Sequence, residues 1–254
     1  MKKFFLDYFP DMLKRKITII TPVKNDEKNI EKTIKSMLNQ SYKNFEYIVV
    51  DGNSKDSTLE IIKKFKGKIK FFSQKDKNLW DAINFGIKKS SGEIIGILNS
   101  NDVFFKNALN LVNNYFDNFN IDYLFGAVKK NRVFYKFEPE KLNYRLNIYP
   151  SHSCSFFIKK EIQKKIGFYN IKYNFCADYD LFYKLFKNKN FRGMSTKKNE
   201  VVGKFNMEGI SSKVPFYKFY FYEMKIRYNN GQNLIYLVFL YPIKILNKIR
   251  NLFI

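Results

Sequence analysis

Between residues 16 and 98, short runs rich in Ile and Val alternate with longer stretches whose apolar residues recur every three or four positions. Residues 16–21 (KITIIT) read as a buried strand that stops at Pro22. Residues 27–39 carry Ile30, Ile34, Met37 and Leu38 at helical spacing, with Asp26 and Glu27 at the favourable end of the helix dipole. Residues 45–50 (FEYIVV) form the next strand, closed by Asp51 and Gly52, after which Asp56 or Ser57 caps a helix bearing Leu59, Ile62 and Phe65. Residues 69–73, 80–89 and 93–98 add a strand, a helix and a strand. This alternation with short connections demands a mostly parallel sheet, right-handed crossovers and helices on both faces. Such sheets bind ligands at the carboxyl ends of their strands. The residues to read are therefore Thr21, Asp51 and the group from Asn99 to Asp102.

The second half is less regular. Residues 123–128 and 132–137 look like strands around a turn at Lys130 and Asn131, and residues 153–158 form another apolar run. Residues 178–187 are a helix with Leu181, Leu185 and Phe186 on one side. From Val214 the chain turns aromatic and basic and ends in a helical tail. No internal repeat and no Pro/Gly/Ser linker divides it, so no second folded domain is expected: one domain covers 1–212, and 213–254 is a basic, aromatic helical tail appended to it. A chain of 254 residues buries a full core. Its two cysteines, Cys154 and Cys176, form no disulfide framework and read as small buried residues, which points to a reducing compartment. Residues 1–10 are basic and aromatic but lack a small-residue cleavage site.

Two phosphate-binding signals are missing: there is no GxxxxGK[ST] loop and no GxGxxG after a strand. Acidic and amide groups stand at the strand ends instead. An acid at Asp51 suits ribose hydroxyls or a base N–H, beside the structural reading of an Asx turn capped by Asp56. A carboxylate at Asp102 suits Mg²⁺ or Mn²⁺, which take one or two carboxylates together with substrate phosphates.

The order and spacing of these segments say more than any one of them. Residues 17–25 (ITIITPVKN), 49–58 (VVDGNSKDST), 78–87 (NLWDAINFGI) and 91–102 (SGEIIGILNSND) resemble the opening of family 2 glycosyltransferases with the GT-A fold. Weaker likeness continues through Pro150-Ser151-His152, residues 177–181 (ADYDL) and residues 205–211 (FNMEGIS), which look like the branch that builds bacterial surface polysaccharides. The resemblance implies an inverting transfer from a nucleotide-sugar donor to a saccharide or lipid-linked acceptor. It implies that Thr21, Pro22, Asp51 and Asp81 line the nucleotide site, together with Asn99 and Asn101. It assigns Asp102 to the metal, Asp178 to deprotonation of the acceptor hydroxyl, and His152 to the edge of the active site. Alone, Asp178 reads equally as a helix N-cap, and a lone histidine as structural. One departure stands out: Asn101 occupies a place where the family usually carries Asp, which removes a negative charge from the metal site.

The formal net charge of +23 calls for an anionic partner or for compositional bias. Nucleic acid is set aside, because no recognition helix, zinc-ligand spacing or ribonucleoprotein motif is present. In the tail, Lys244, Asn247, Lys248 and Asn251 share one helical face, and Ile245, Ile249, Leu252 and Phe253 another. The apolar run is too short to span a bilayer, so the expectation is a cytoplasmic protein lying on the inner face of the membrane. A closing core helix is the bland alternative for the tail. The rival for the whole chain is a non-catalytic nucleotide-sugar or carbohydrate-binding protein derived from a transferase.

Overall fold

The computed structural model describes residues 14–143, 148–206 and 214–250, with side chains up to 246. The expected alternation is present as β1 (Ile17–Val23), α1 (Ile30–Leu38), β2 (Phe45–Asp51), α2 (Thr58–Lys63), β3 (Lys70–Ser73), α3 (Leu79–Lys89) and β4 (Ile94–Ile97). There follow β5 (Val103–Phe104), α4 (Ala108–Asn118), β6 (Tyr123–Phe125), β7 (Ala127–Lys129) and β8 (Val133–Phe134). The rest comprises β9 (Phe156–Lys159), α5 (Lys160–Ile166), α6 (Ala177–Lys187), β10 (Gly193–Ser195), β11 (Val201–Lys204), α7 (Phe216–Asn229) and α8 (Leu234–Arg250).

A seven-stranded sheet runs β10-β6-β9-β4-β1-β2-β3. Strands β3, β2, β1 and β4 are parallel, whereas β9 lies antiparallel to both β4 and β6. Its central strands are buried on both faces, which is why β1 reads as an unbroken apolar run rather than an alternating one. β1 passes through Pro22 to Val23 instead of stopping there. Its pairing with β4 ends at Ile20, so Pro22 pairs only with Val50 of β2 and its missing N–H breaks no ladder. A second sheet, β5-β11-β7-β8, lies beyond the first. The strand expected over 123–128 is split between the two sheets at Gly126, where Val202 packs so close that a Cβ would lie 2.5 Å from its methyl.

The tail departs most from expectation. α7 packs on α6 through Ile226, Glu223 and Arg227, all fully buried. Arg227 Nε donates to the Tyr179 hydroxyl (2.6 Å), and its Nη1 donates to the Leu142 carbonyl (3.0 Å) and Gln232 Oε1 (2.8 Å). A cation buried this deeply is tolerable only with such partners. α7 thus completes the core around α6, as the closing-helix alternative for the tail has it. Lys244 likewise leaves the basic face assigned to it and turns inward to pair with Glu223. Lys248, Arg250 and the apolar side chains at 249, 252 and 253 lie outside the described side chains, as does the motif over 207–211.

Candidate active site

The carboxyl edge of the parallel strands gathers the first group of residues. Asp51 ends β2 and is buried, with Ser54 and Ser73 hydroxyls donating to its two oxygens, the latter at 2.7 Å. Asp51 also accepts the Ser54 N–H, so the Asx-type turn expected from the sequence exists around it. Asp56 accepts the Thr58 N–H at the head of α2 and the Glu27 N–H from the neighbouring loop. Thr21 lies on the same edge, but its hydroxyl faces inward, accepts from Tyr47 and is fully buried. Pro22 is buried beside it at the end of β1. Asp81 stands in the first turn of α3 and accepts the Lys77 N–H (3.1 Å).

Sequence reasoning missed Asp76, which sits between Asp51 and Asp81. Its Oδ2 is the one buried side-chain oxygen or nitrogen without a partner among the described residues. Burial first, then the charges of Asp81 and Asp51, push its carboxyl upward. It lies in a QKDKN turn that sequence alone reads as a connecting loop.

The loop after β4 supplies the second group. Thr33 on α1 donates to the carbonyls of Ser100 (2.6 Å) and Asp102 (2.8 Å), fastening the loop to the sheet edge. Asp102 is 1% exposed. Its Oδ1 accepts the Asn206 N–H (2.9 Å), its Oδ2 accepts Asn99 Nδ2 (3.1 Å), and the Cys154 thiol donates to it as well. Desolvation outweighs these donors and lifts its pKa to about 6. Asn101 is half-buried and makes no side-chain hydrogen bond among the described residues.

His152 faces this carboxylate, its Nδ1 lying 4.0 Å from Asp102 Oδ2. That nitrogen accepts the Cys154 N–H (3.3 Å), and the ring stacks on Phe205 at 4.4 Å. Desolvation and the nearby Lys130 push the imidazole down to about 4, so at neutral pH it is uncharged. An uncharged imidazole thus stands beside a buried carboxylate, and its ring nitrogens are ordinary ligands for a cation once the weak Cys154 N–H contact gives way. A divalent cation fits that donor set of one hard oxygen and one imidazole nitrogen. Cys154 completes the cluster, but burial and Asp102 push its thiol well above its ordinary value, so it acts as a donor rather than a thiolate ligand.

The third group surrounds Asp178. Cys176 is the N-cap of α6, so Asp178 is not the cap; it is the second residue of the helix. Its Oδ1 accepts the Tyr149 hydroxyl (3.0 Å) and the Tyr179 N–H (2.9 Å). Burial pushes its pKa up to about 6, opposed by the Tyr149 bond. The loop leading into α6 is held by α3 on the donor half. Asn84 pairs with both backbone groups of Tyr169, donating to its carbonyl (2.8 Å) and accepting its N–H (3.0 Å). Trp80 Nε1 donates to the Asn174 carbonyl (3.0 Å), and its ring stacks on Tyr169. The segment NLWDAIN therefore anchors the approach to Asp178, a role separate from the nucleotide-lining one expected of Asp81.

The parallel strands β3, β2, β1 and β4, flanked by helices and with β9 set antiparallel beside them, define an α/β fold of the GT-A class. Solved structures agree on that fold: TarS of S. aureus superposes with a TM-score of 0.68 at 20% identity, over 86% of this chain and 40% of that one. Glucosyl-3-phosphoglycerate synthase of Mycobacterium tuberculosis, solved with Mn²⁺ and uridine diphosphate, gives 0.62 at 14% identity over 84% and 76%. The sequence profile of "Glycosyl transferase family 2" matches residues 18–186, and the chain belongs to that family. An uncharacterized glycosyltransferase of Rickettsia typhi is 31% identical over 189 residues, which are 67% of this chain and 58% of that protein. Poly(ribitol-phosphate) beta-N-acetylglucosaminyltransferase TarP of Staphylococcus aureus is 36% identical over 119 residues, 44% of this chain and 36% of that one. The chain thus spans less than two thirds of the length of these relatives.

Proposed function

We propose that the chain transfers a sugar from a nucleotide-diphosphate donor to a saccharide or lipid-linked acceptor, with inversion, in the synthesis of a bacterial surface polysaccharide. The observation that carries this reading is the state of Asp178. One oxygen is fixed by two donors, and the carboxyl is raised to about 6, close to working pH. A general base works best when its pKa lies near the operating pH. In the reaction Asp178 takes the proton of the acceptor hydroxyl while that oxygen bonds to the anomeric carbon. The bond from that carbon to the diphosphate breaks, and its electron pair leaves with the nucleoside diphosphate.

Asp51, Asp76 and Asp81 form the acidic wall that accepts N–H and O–H groups of the nucleoside, with Asn99 and Asn101 at the phosphate side. Asp102 and His152 would hold Mg²⁺ or Mn²⁺, which supplies positive charge to the departing diphosphate. The amide at Asn101 leaves Asp102 as the one carboxylate of that loop.

A location on the inner face of the membrane is part of the same proposal, although its basis shifts from charge to apolar surface. Leu234, Ile235, Val238, Phe239, Ile243 and Leu246 are all more than half exposed along α8, while Leu237 and Tyr241 face α7. A contiguous apolar face of this kind fits a lipid interface, and the positive net charge fits anionic headgroups. No helix among the described residues is long and apolar enough to cross a membrane.

Incubation with a panel of UDP- and GDP-sugars plus Mn²⁺ or Mg²⁺ tests the proposal through released nucleoside diphosphate. Release from one donor, lost in excess chelator, is expected. Donor binding without release from any member would make the chain a binder instead.

A further inference from the structure

Resting on the reading of Asp178 as the base, we infer that Tyr149 is a positioning residue: by tying Oδ1 of Asp178 to the loop bearing His152, it leaves Oδ2 as the oxygen that receives the acceptor proton. Both hydrogen bonds to the carboxylate, from the Tyr149 hydroxyl and the Tyr179 N–H, go to Oδ1. Oδ2 accepts from neither of these two donors, which leaves it the freer oxygen for a proton. The carboxylate is thereby locked with one oxygen held and the other freer. Rotation about its terminal torsion is otherwise soft, and a misdirected base loses rate quickly.

Tyr149 is suited to the task. Its ring packs edge-on against Tyr179 (5.7 Å) and Phe182 (5.9 Å) of α6, the helix that carries the base. Burial pushes its hydroxyl well above the ordinary tyrosine value, so it stays a donor across the working pH range. Three residues later in the same loop stands His152, beside Asp102. The loop is hooked at its far end: the Ser155 hydroxyl donates to the His152 carbonyl (2.8 Å), and the Gly126 N–H donates to the Ser155 carbonyl (2.8 Å). A single short stretch of chain thus touches the leaving-group side through His152 and the base through Tyr149.

The groups facing Asp178 make the sign of the effect clear. Tyr149 approaches from this loop, Tyr169 from the loop after α5, Cys176 from the cap of α6, and Glu223 from α7. Burial and Glu223 oppose the ionised form, and the Tyr149 hydroxyl favours it. Tyr149→Phe removes that hydroxyl and keeps the ring.

The test compares the full chain, Tyr149→Phe and Asp178→Asn between pH 5 and 9. Nucleoside diphosphate release is followed from the same panel of UDP- and GDP-sugars with Mn²⁺. The Asp178 carboxyl is followed separately by carbon-detected NMR, assigned by its disappearance in Asp178→Asn. In Tyr149→Phe the carboxyl and the acid limb of kcat should both move up by about one pH unit, with donor KM unchanged. The rate should fall about tenfold below pH 6 and largely recover at pH 9. A carboxyl that titrates where it does in the parent, or a rate reduced equally at every pH, would overturn the inference. Parental turnover in Asp178→Asn would instead remove the reading of Asp178 as base, a distinct result.

Discussion

The pockets of Asp102 and Asp178 hold carboxyl groups that look alike by ionisation and differ in everything else. Both are pushed up to about 6, and burial is the leading cause in each. Around Asp102 both oxygens are covered, by Asn206, Asn99 and Cys154, and an uncharged imidazole faces it. Around Asp178 one oxygen takes the donors from both Tyr149 and Tyr179, and the other takes neither. A perturbed pKa alone would have made both of them bases. Their neighbours separate them: a carboxylate beside an uncharged imidazole offers a cation two ligands, and a carboxylate with the Tyr149 and Tyr179 donors on one oxygen only suits a proton.

The comparison is broken most directly at Asp178. Asp178→Asn should lower sugar transfer by about 10²–10⁴-fold, the scale of lost general-base catalysis. It should also stabilise the fold at neutral pH. A carboxyl raised from its ordinary value to about 6 is penalised in the folded state once ionised, by roughly 3 kcal/mol. That penalty is absent below the unfolded value near 4, where both states are protonated, and is fully present above about 6. Thermal melts at pH 7.5 should therefore favour the variant, and melts at pH 3.5 should not. A lower melting temperature at pH 7.5 would mean that the carboxylate is structural.

Asp102 should respond in the opposite sense. Asp102→Ala leaves the buried Cys154 thiol, the half-buried Asn99 amide and the Asn206 N–H without their acceptor, at up to about 1–3 kcal/mol for each bond left unmade away from water. Chemical denaturation should show a loss of several kcal/mol, and an unchanged midpoint would show that water replaces the carboxylate there. Asn84→Ala probes the strap between the two pockets. It removes two buried bonds to the Tyr169 backbone, so about 2 kcal/mol of stability should be lost. Turnover should fall while donor affinity holds, because the strap serves the α6 side. A loss of donor affinity alone would place the strap on the nucleotide side. The smallest effect on chemistry is expected at α8. Replacing Ile235 and Phe239 by Asp should release the protein from anionic vesicles in flotation assays and leave hydrolysis of a soluble donor intact; undiminished vesicle binding would end the membrane proposal.

The two halves of the chain were unequally legible. The parallel half could be read because each strand is a short β-branched run buried on both faces, and each amphipathic segment is local in sequence. Placement of Asp51 and Asp102 at the carboxyl edge follows from topology alone. Side-chain direction does not, which is why the inward turn of Thr21 toward Tyr47 was hidden. The acceptor side depends on pairings far apart in the chain, such as Asn84 with Tyr169 and Arg227 with Tyr179. No local pattern announces these. Lys244 shows the same limit: helical periodicity placed it on a polar face, but only the tertiary position of Glu223 decides that it turns inward. The family resemblance supplied roles for Asp102, Asp178 and His152, while Tyr149 and Asp76 became visible only through geometry.

A calorimetric titration of nucleoside diphosphate with Mn²⁺ into Asp102→Asn and Asp178→Asn, set beside their rates of donor turnover, tests the division of labour most directly. The account predicts that Asp102→Asn loses metal-dependent affinity, whereas Asp178→Asn binds like the parent and loses only turnover. Equal loss of affinity in both variants, or parental turnover in Asp178→Asn, would contradict it.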